Sequence, residues 1–409
     1  MKHLTDKQIK QSLKYATIEG AASAGMVGFS EQYITPFALE MGATKMQVGL
    51  LNSIPNFFMI FFTLKAAHLV EKIGSRKKAI LALVVLDIFS LVPLLLVPLF
   101  LDRGPVVWFS LIALSFFLPP IMISPIWGSL MADIVPTRRM GKYFGRRSAI
   151  VGLTTLACSF IAAWVLNLFS EQVMTGFSII FGVAIAFRVA SWLCFTRIHE
   201  PPMEVATSQP FGFVDFVRET KSSNLARFII FVCLMNFTLN LAGPFQTVYL
   251  ISNLELDYVS YMIILNASAV ATLFTLGYWG RRADKLGNVK VIKGAAILMP
   301  IAPILWAFSH NFFYLLAAQL LAGFAWAGFN LCGPNFIYEA SPKERRARYL
   351  AYFSAINVAA LALGAFAGGL LSSVLPPTAG SRLLSLFLLA GILRAFIAAV
   401  FLPKLCHPA

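Results

Sequence analysis

The sequence predicts an all-α membrane protein: twelve transmembrane helices in two pseudo-symmetric six-helix bundles, with both termini cytoplasmic. The first observation behind this is a duplication. Glu71-Lys72-Ile73-Gly74-Ser75-Arg76-Lys77 returns 213 residues later as Asp284-Lys285-Leu286-Gly287-Asn288-Val289-Lys290, with acid, lysine, glycine and closing cation in register. A second pair lies at a spacing of 206: Asp133-Ile134-Val135-Pro136, Lys142-Tyr143 and Ser148-Ala149-Ile150 match Glu339-Ala340-Ser341-Pro342, Arg348-Tyr349 and Ser354-Ala355-Ile356. The same spacing carries Arg188, inside an apolar stretch, onto Arg394. A repeated unit sets the architecture before any local signal is read. The second observation is composition: 58% of the 409 residues are apolar and 12% are charged, where a soluble domain carries about 25% charged residues. The third is that the apolar runs have the length of membrane helices, about 20 residues each.

In chain order the first six runs are Tyr15–Ala38, Met46–Val70, Ala79–Leu101, Val106–Leu130, Ala149–Leu168 and Val173–Phe195. The second six are Phe228–Leu250, Tyr258–Trp279, Val291–Ser309, Phe312–Ile337, Leu350–Val374 and Leu384–Leu402. Transmembrane strands would be shorter and alternate in polarity. Between spans 2 and 3, and again between spans 8 and 9, Gly74 and Gly287 suit a tight turn, because glycine takes positive φ without penalty. The longest polar stretch, Ile198 to Asn224, joins the halves, so the expected domains are 1–197, a cytoplasmic linker 198–224, and 225–409. Within the linker, Phe211 to Thr220 has the pattern of a short amphipathic helix lying at the membrane surface.

The net charge of +15 reflects insertion rather than nucleic acid. With the N-terminus in the cytoplasm, of the 33 Lys and Arg only Lys45, Arg103 and Arg382 fall on the outer side, while Lys65, Arg188 and Arg394 lie within the apolar runs. That is the positive-inside bias. The opening residues are polar and lack a cleavable signal pattern, so span 1 is expected to stay. The five cysteines are odd in number and mostly in apolar runs, which suits reduced core residues rather than a disulfide framework. No metal centre is expected, since Cys406-His407 would need ligands from elsewhere.

Two six-helix halves, a central loop and an acid–lysine–glycine–cation loop after spans 2 and 8 resemble the major facilitator superfamily of secondary transporters. The family's loop signature after helix 2 is G-x-L-a-D-r-x-G-r-r. Here Ala67 replaces its first glycine and Glu71 its aspartate, while Leu69, Lys72, Gly74, Arg76 and Lys77 match; the second copy keeps Gly280, Asp284, Lys285 and Gly287. The resemblance implies that Glu71 latches onto the start of span 11 and Asp284 onto the start of span 5, where Arg345, Arg346, Arg348, Arg139, Lys142, Arg146 and Arg147 lie. An acid at a helix N-terminus is favoured by the helix dipole. The competing reading is that these cations only obey the positive-inside rule. Two marks of the drug–proton antiporters are missing: span 5 lacks a Gly-Pro-rich element and span 4 lacks an arginine. The resemblance therefore implies no particular solute or direction.

Charges within the membrane are costly and point to function. Three acids qualify, Glu19 and Glu31 in span 1 and Asp87 in span 3, while the second-half spans contain none. They are the candidates for proton coupling. Glu19 and Glu31 are 12 residues apart, roughly 18 Å along a helix, so opposite sides of the membrane can reach them. The plainer readings are that Glu19 reaches water and that Asp87 pairs with Arg188. Arg188 and Arg394, as symmetry mates near the cytoplasmic ends, read as scaffold. In the family, spans 1, 4, 7 and 10 line a midplane cavity. The cavity candidates are therefore Gln32 and Tyr33 on span 1, Asn236, Asn240 and Gln246 on span 7, and Gln319, Trp326 and Asn330 on span 10. Amides with aromatics suit a neutral or amphipathic organic solute, although amides also bond helix to helix.

No Gly-x-Ser-x-Gly elbow, phosphate-cradling loop or metal-spaced histidine pair is present, so no enzyme and no cofactor is expected. The expected activity is secondary active transport of a small organic solute by alternating access, with the proton as coupling ion. The alternative is a non-transporting membrane sensor or complex-organising protein of the same fold. The expected partners are the solute and the lipid bilayer, with no nucleic acid, and the chain is expected to work as a monomer. The expected location is a cell membrane, the inner membrane of a bacterium.

Overall fold

The computed structural model describes residues 5–100, 106–136, 140–201, 213–220, 223–340, 346–378 and 380–405. Arg103, Arg139, Arg345, Cys406, His407 and, within the predicted linker, residues 202–212 and 221–222 lie outside them. The described residues are nearly all helical: α1 (Asp6–Phe29), α2 (Ile34–Glu40), α3 (Lys45–Ile73), α4 (Arg76–Phe100), α5 (Val106–Ile134), α6 (Met140–Leu168), α7 (Val173–Thr196), α8 (Phe213–Thr220), α9 (Asn224–Val248), α10 (Tyr258–Leu286), α11 (Asn288–Leu298), α12 (Ile301–Leu305), α13 (Phe312–Ala340), α14 (Arg346–Val374) and α15 (Arg382–Phe401). Among the described residues ten segments are long and apolar enough to cross a membrane, α11 and α12 together forming one of them; α1 is not among the ten. In α1 the reason is its composition: Lys7, Lys10, Lys14 and Glu19 alternate with Gly, Ala and Ser, and it packs on α6 and α7. Large apolar side chains elsewhere point outward, among them Phe89, Trp164, Phe274 and Phe396, an arrangement that suits lipid rather than water.

Chain contacts divide the protein into two compact units, 1–43 with 58–207 and 257–259, and 44–57 with 208–256 and 260–409. Within the first, α1 packs on α6 and α7, and α4 on α5 and α7. Within the second, α9 packs on α14 and α15, α11 on α13, and α12 on α15. Counted as spans, these are the same pairings: first with fifth and sixth, third with fourth and sixth. The duplicated sequence thus folds into duplicated packing. The loop glycines follow suit, with Gly74 at φ 71 and Gly287 at φ 83. The spacing of 213 also superposes Gly42 (φ 84) on Glu255, the one positive-φ residue other than glycine among those described (φ 50).

Three elements differ from the sequence expectation. Span 1 is broken. A capping box between Thr5 and Gln8 starts α1 early. The helix ends at Phe29, where the Ser30 hydroxyl turns back to the Met26 carbonyl (2.7 Å). Glu31–Tyr33 then form one 3₁₀ turn before α2. Pro36 is tolerated in the first turn of α2 because an N–H there has no helical acceptor. Span 9 is also divided, at Met299-Pro300, into α11 and α12. In the linker, α8 turns Phe216 into the protein. Its ring lies 5.1 Å from that of Tyr349 and 5.3 Å from that of Tyr352, and the Tyr349 hydroxyl donates to Glu219 (2.5 Å). The amphipathic face therefore packs on α14.

Small residues in α14 bring it close to α9. A Cβ on Gly364 would stand 2.2 Å from the Phe237 carbonyl oxygen, and one on Gly368 2.3 Å from that of Leu241. The second-unit core centres on Phe228 against Phe336 (4.1 Å between rings), with Phe231 and Phe329 beside them. The first-unit core runs between α4 and α5, through Ala79, Ile80 and Leu83 against Leu130, Met131 and Ile134.

Candidate functional site

Two of the three intramembrane acids are neutralised in place. Asp87 on α4 is fully buried, and its carboxylate lies 2.6 Å from Arg188 Nε on α7. Arg188 also donates to Ser23 (3.2 Å) and Ser191 (3.4 Å). Ser191 in turn donates to Glu19 Oε1 (3.2 Å), whose other oxygen meets Arg147 Nη2 at 3.4 Å. Arg147, on α6, lies 4.0 Å over the Trp127 ring and donates to the Ala16 carbonyl. Two carboxylates and two guanidiniums form one connected, internally neutral chain. Glu31 stands apart on the 3₁₀ turn, accessible, with no ion pair among the described residues. Its neighbours differ: Gln32 buries an unpartnered Oε1, and Tyr33 is fully enclosed, with its hydroxyl donating to the Ser159 carbonyl.

In the second unit, the amides of α9 divide between two tasks. Asn236 donates to Asn357 (2.8 Å) and Asn240 to the Leu361 carbonyl (3.1 Å), both on α14, so these two bond helix to helix. One turn or more further on, Gln246 faces Gln319 of α13 (3.3 Å). These two glutamines and Trp326 line a cavity of about 130 Å³ formed by α9, α10, α12, α13 and α15. Asn330 is exposed. The remaining polar wall of the cavity is Ser268 and Arg394.

Arg394 was expected to match Arg188, and it does not. It is 4% exposed, and no carboxylate pairs with it among the described residues. Nε donates to Thr238 Oγ1 (3.2 Å), Nη2 to the Thr238 carbonyl (3.2 Å) and Nη1 to the Met299 carbonyl (3.3 Å). The spacing of 213 puts Pro300 where the first unit has Asp87. The Met299 carbonyl is available because the residue four further on is Pro303, which has no N–H to offer it. A backbone dipole stands in for the missing acid. The sequence did hold a signal for this: an arginine in a half whose spans contain no acid.

The loop motif is used mainly within the first unit. Arg76, 4% exposed, meets Asp133 at 2.6 Å and donates to Ser129. Lys77 donates to the Thr196 carbonyl (2.7 Å). Glu200 sits on the N-terminus of α4, accepting from the Arg76 N–H (2.6 Å) and the Ser75 hydroxyl (2.5 Å). Glu71 is largely exposed, 3.7 Å from His68, and Asp284 and Lys285 are exposed.

The Major Facilitator Superfamily profile matches residues 20–262 and 228–406. Quinolone resistance protein NorA of Staphylococcus aureus is 30% identical over 151 residues, 36% of this chain and 38% of that protein. Myo-inositol transporter 1 of Saccharomyces cerevisiae is 30% identical over 93 residues, 23% of this chain and 16% of that one. These matches thus span well under half of the relatives' length. A mutant of nucleoside transporter NupG superposes with a TM-score of 0.80 at 13% identity, over 96% of this chain and 100% of that one. The D-xylose-proton symporter gives 0.70 at 15% identity, over 96% and 97%. At such identities the likeness is one of fold. Matching helix packing in the two units, the loop motif and a family match over nearly the whole length lead to one conclusion: this multi-pass membrane protein belongs to the Major Facilitator Superfamily, a family of transporters rather than enzymes.

Proposed function

We propose that the chain moves a small organic solute across the membrane by alternating access, two six-helix halves, 1–197 and 225–409, joined by the 198–224 linker, rocking around a midplane cavity, with a proton as the coupling ion. In this reading the chain has twelve spans and both termini in the cytoplasm, and sits as a monomer in a bacterial inner membrane. The positive-inside bias and the bacterial NorA relatives support that placement. Glu71 and Asp284 serve as cytoplasmic latches, with the turns at Gly74 and Gly287 setting their loops.

The observation that carries the coupling is the contrast among the acids. Asp87 and Glu19 are held by arginines, whereas Glu31 has no ion pair among the described residues and lies at a break in its helix. A group placed there can exchange a proton without first breaking a salt bridge. The test is solute accumulation in proteoliposomes under an imposed pH gradient. Glu31→Gln keeps size and hydrogen bonding but cannot titrate, so uphill accumulation should vanish while solute exchange persists. Undiminished accumulation by the variant would assign the coupling elsewhere. An absence of any flux in the wild-type chain, across a panel of organic solutes, would favour a sensor.

A further inference from the structure

We propose that the Arg394 cavity binds the carboxylate end of a monoanionic, partly apolar solute. This deepens the transport reading by naming the chemical class of the solute. Binding at equilibrium, however, needs no gradient and no conformational cycle.

The geometry is that of a built anion site. Arg394 is almost wholly enclosed, and three of its five N–H groups are held by protein oxygens, one on each nitrogen. That fixes the plane of the guanidinium and leaves one N–H on each of Nη1 and Nη2. Those two N–H groups are the fork that matches a carboxylate. An isolated charge in this setting is expensive unless it is paired, and the described residues supply carbonyl and hydroxyl dipoles and the Trp326 ring but no carboxylate. The other walls answer the rest of such a ligand. Gln319 is 4% exposed and, with Gln246, offers further amide donors. Trp326 lies 5.8 Å from the guanidinium and presents an aromatic wall. At about 130 Å³ the cavity is close to the roughly 150 Å³ that holds one benzene ring. That takes the carboxylate and the adjoining part of a ring or short chain, and the rest of the solute extends beyond the cavity.

The probe is benzoate, with benzamide as its uncharged counterpart, titrated into the purified full-length chain at constant chloride. Binding is read by calorimetry and by the shift in the thermal unfolding midpoint. Benzoate should bind saturably and benzamide at least tenfold more weakly. Arg394→Gln should lose the preference for benzoate, and Gln319→Leu, which leaves the cation in place, should weaken benzoate several-fold. If Arg394→Gln fails to fold, the benzoate–benzamide comparison on the unmodified chain and the Gln319→Leu variant still decide. Equal binding of the two probes overturns the proposal, as does a folded Arg394→Gln variant that still prefers benzoate. A benzoate effect reproduced by raising chloride alone also overturns it, since the site would then hold an adventitious ion only. Benzoate binding without any flux would count against transport and leave the site intact.

Discussion

Replacing Arg188 alone should harm the protein more than replacing Arg188 and Asp87 together. The pair is among the most enclosed in the chain, with Asp87 fully buried, Arg188 3% exposed, and 2.6 Å between charged atoms. Removing one partner of such a pair strands the other charge at a cost of about 3–5 kcal/mol, whereas an apolar replacement of both is often close to neutral. The double replacement here is not free, because Arg188 also holds Ser23 and Ser191, and Ser191 holds Glu19. Arg188→Leu and Asp87→Leu should therefore each lose several kcal/mol. The double variant should lose less than their sum by at least about 2 kcal/mol, well beyond the roughly 0.5 kcal/mol scatter of independent sites. Reversible unfolding in mixed detergent micelles, followed by tryptophan fluorescence, measures all three. Additive losses, or single variants as stable as the parent, would refute the view that these groups neutralise one another.

Two further outcomes follow from the cytoplasmic ends. Glu200→Ala removes the anion from the start of α4 and should cost about 0.5–2 kcal/mol in the same unfolding assay, while Glu200→Gln should recover part of it. Glu71→Ala and Asp284→Ala should each shift the balance of access by about 0.3–2 kcal/mol. This would be read as a changed modification rate of a cysteine engineered at the cytoplasmic ends of the spans; unchanged rates in both would retire the latch.

The repeat was legible because it is written in residues that cannot be exchanged freely. Gly74 and Gly287 adopt positive φ, and the identical pairing of spans in each unit follows from the same apolar spacing in both copies. The break in span 1 was less visible, since it falls at Ser30-Glu31 inside a run whose hydropathy continues through Pro36 to Ala38. Asn236 and Asn240 share one helical face of α9 and bond to α14, while Gln246, on another face beyond Pro244, reaches the cavity. Which does which depends on where Gly364 and Gly368 let the neighbouring helix approach, and that is a property of the partner helix. Arg188 and Arg394 share a position in the repeat but not a kind of partner, which the symmetry of the sequence does not reveal. The exchange of Asp87 for Pro300 at the corresponding site breaks it.

The Met299 carbonyl has a consequence for how the two copies have diverged. A carboxylate facing an arginine can gain a proton and let go; a peptide carbonyl cannot, so the hold on Arg394 is the same at every physiological pH. Arg188 and Arg147 are thus held by charges on neighbouring helices, whereas the described residues hold Arg394 through oxygen dipoles and the Trp326 ring. Duplication has left one half with charge answering charge and the other with an arginine lodged among dipoles, a divergence written in two prolines: Pro300 in place of the acid, and Pro303, which sets the backbone oxygen free.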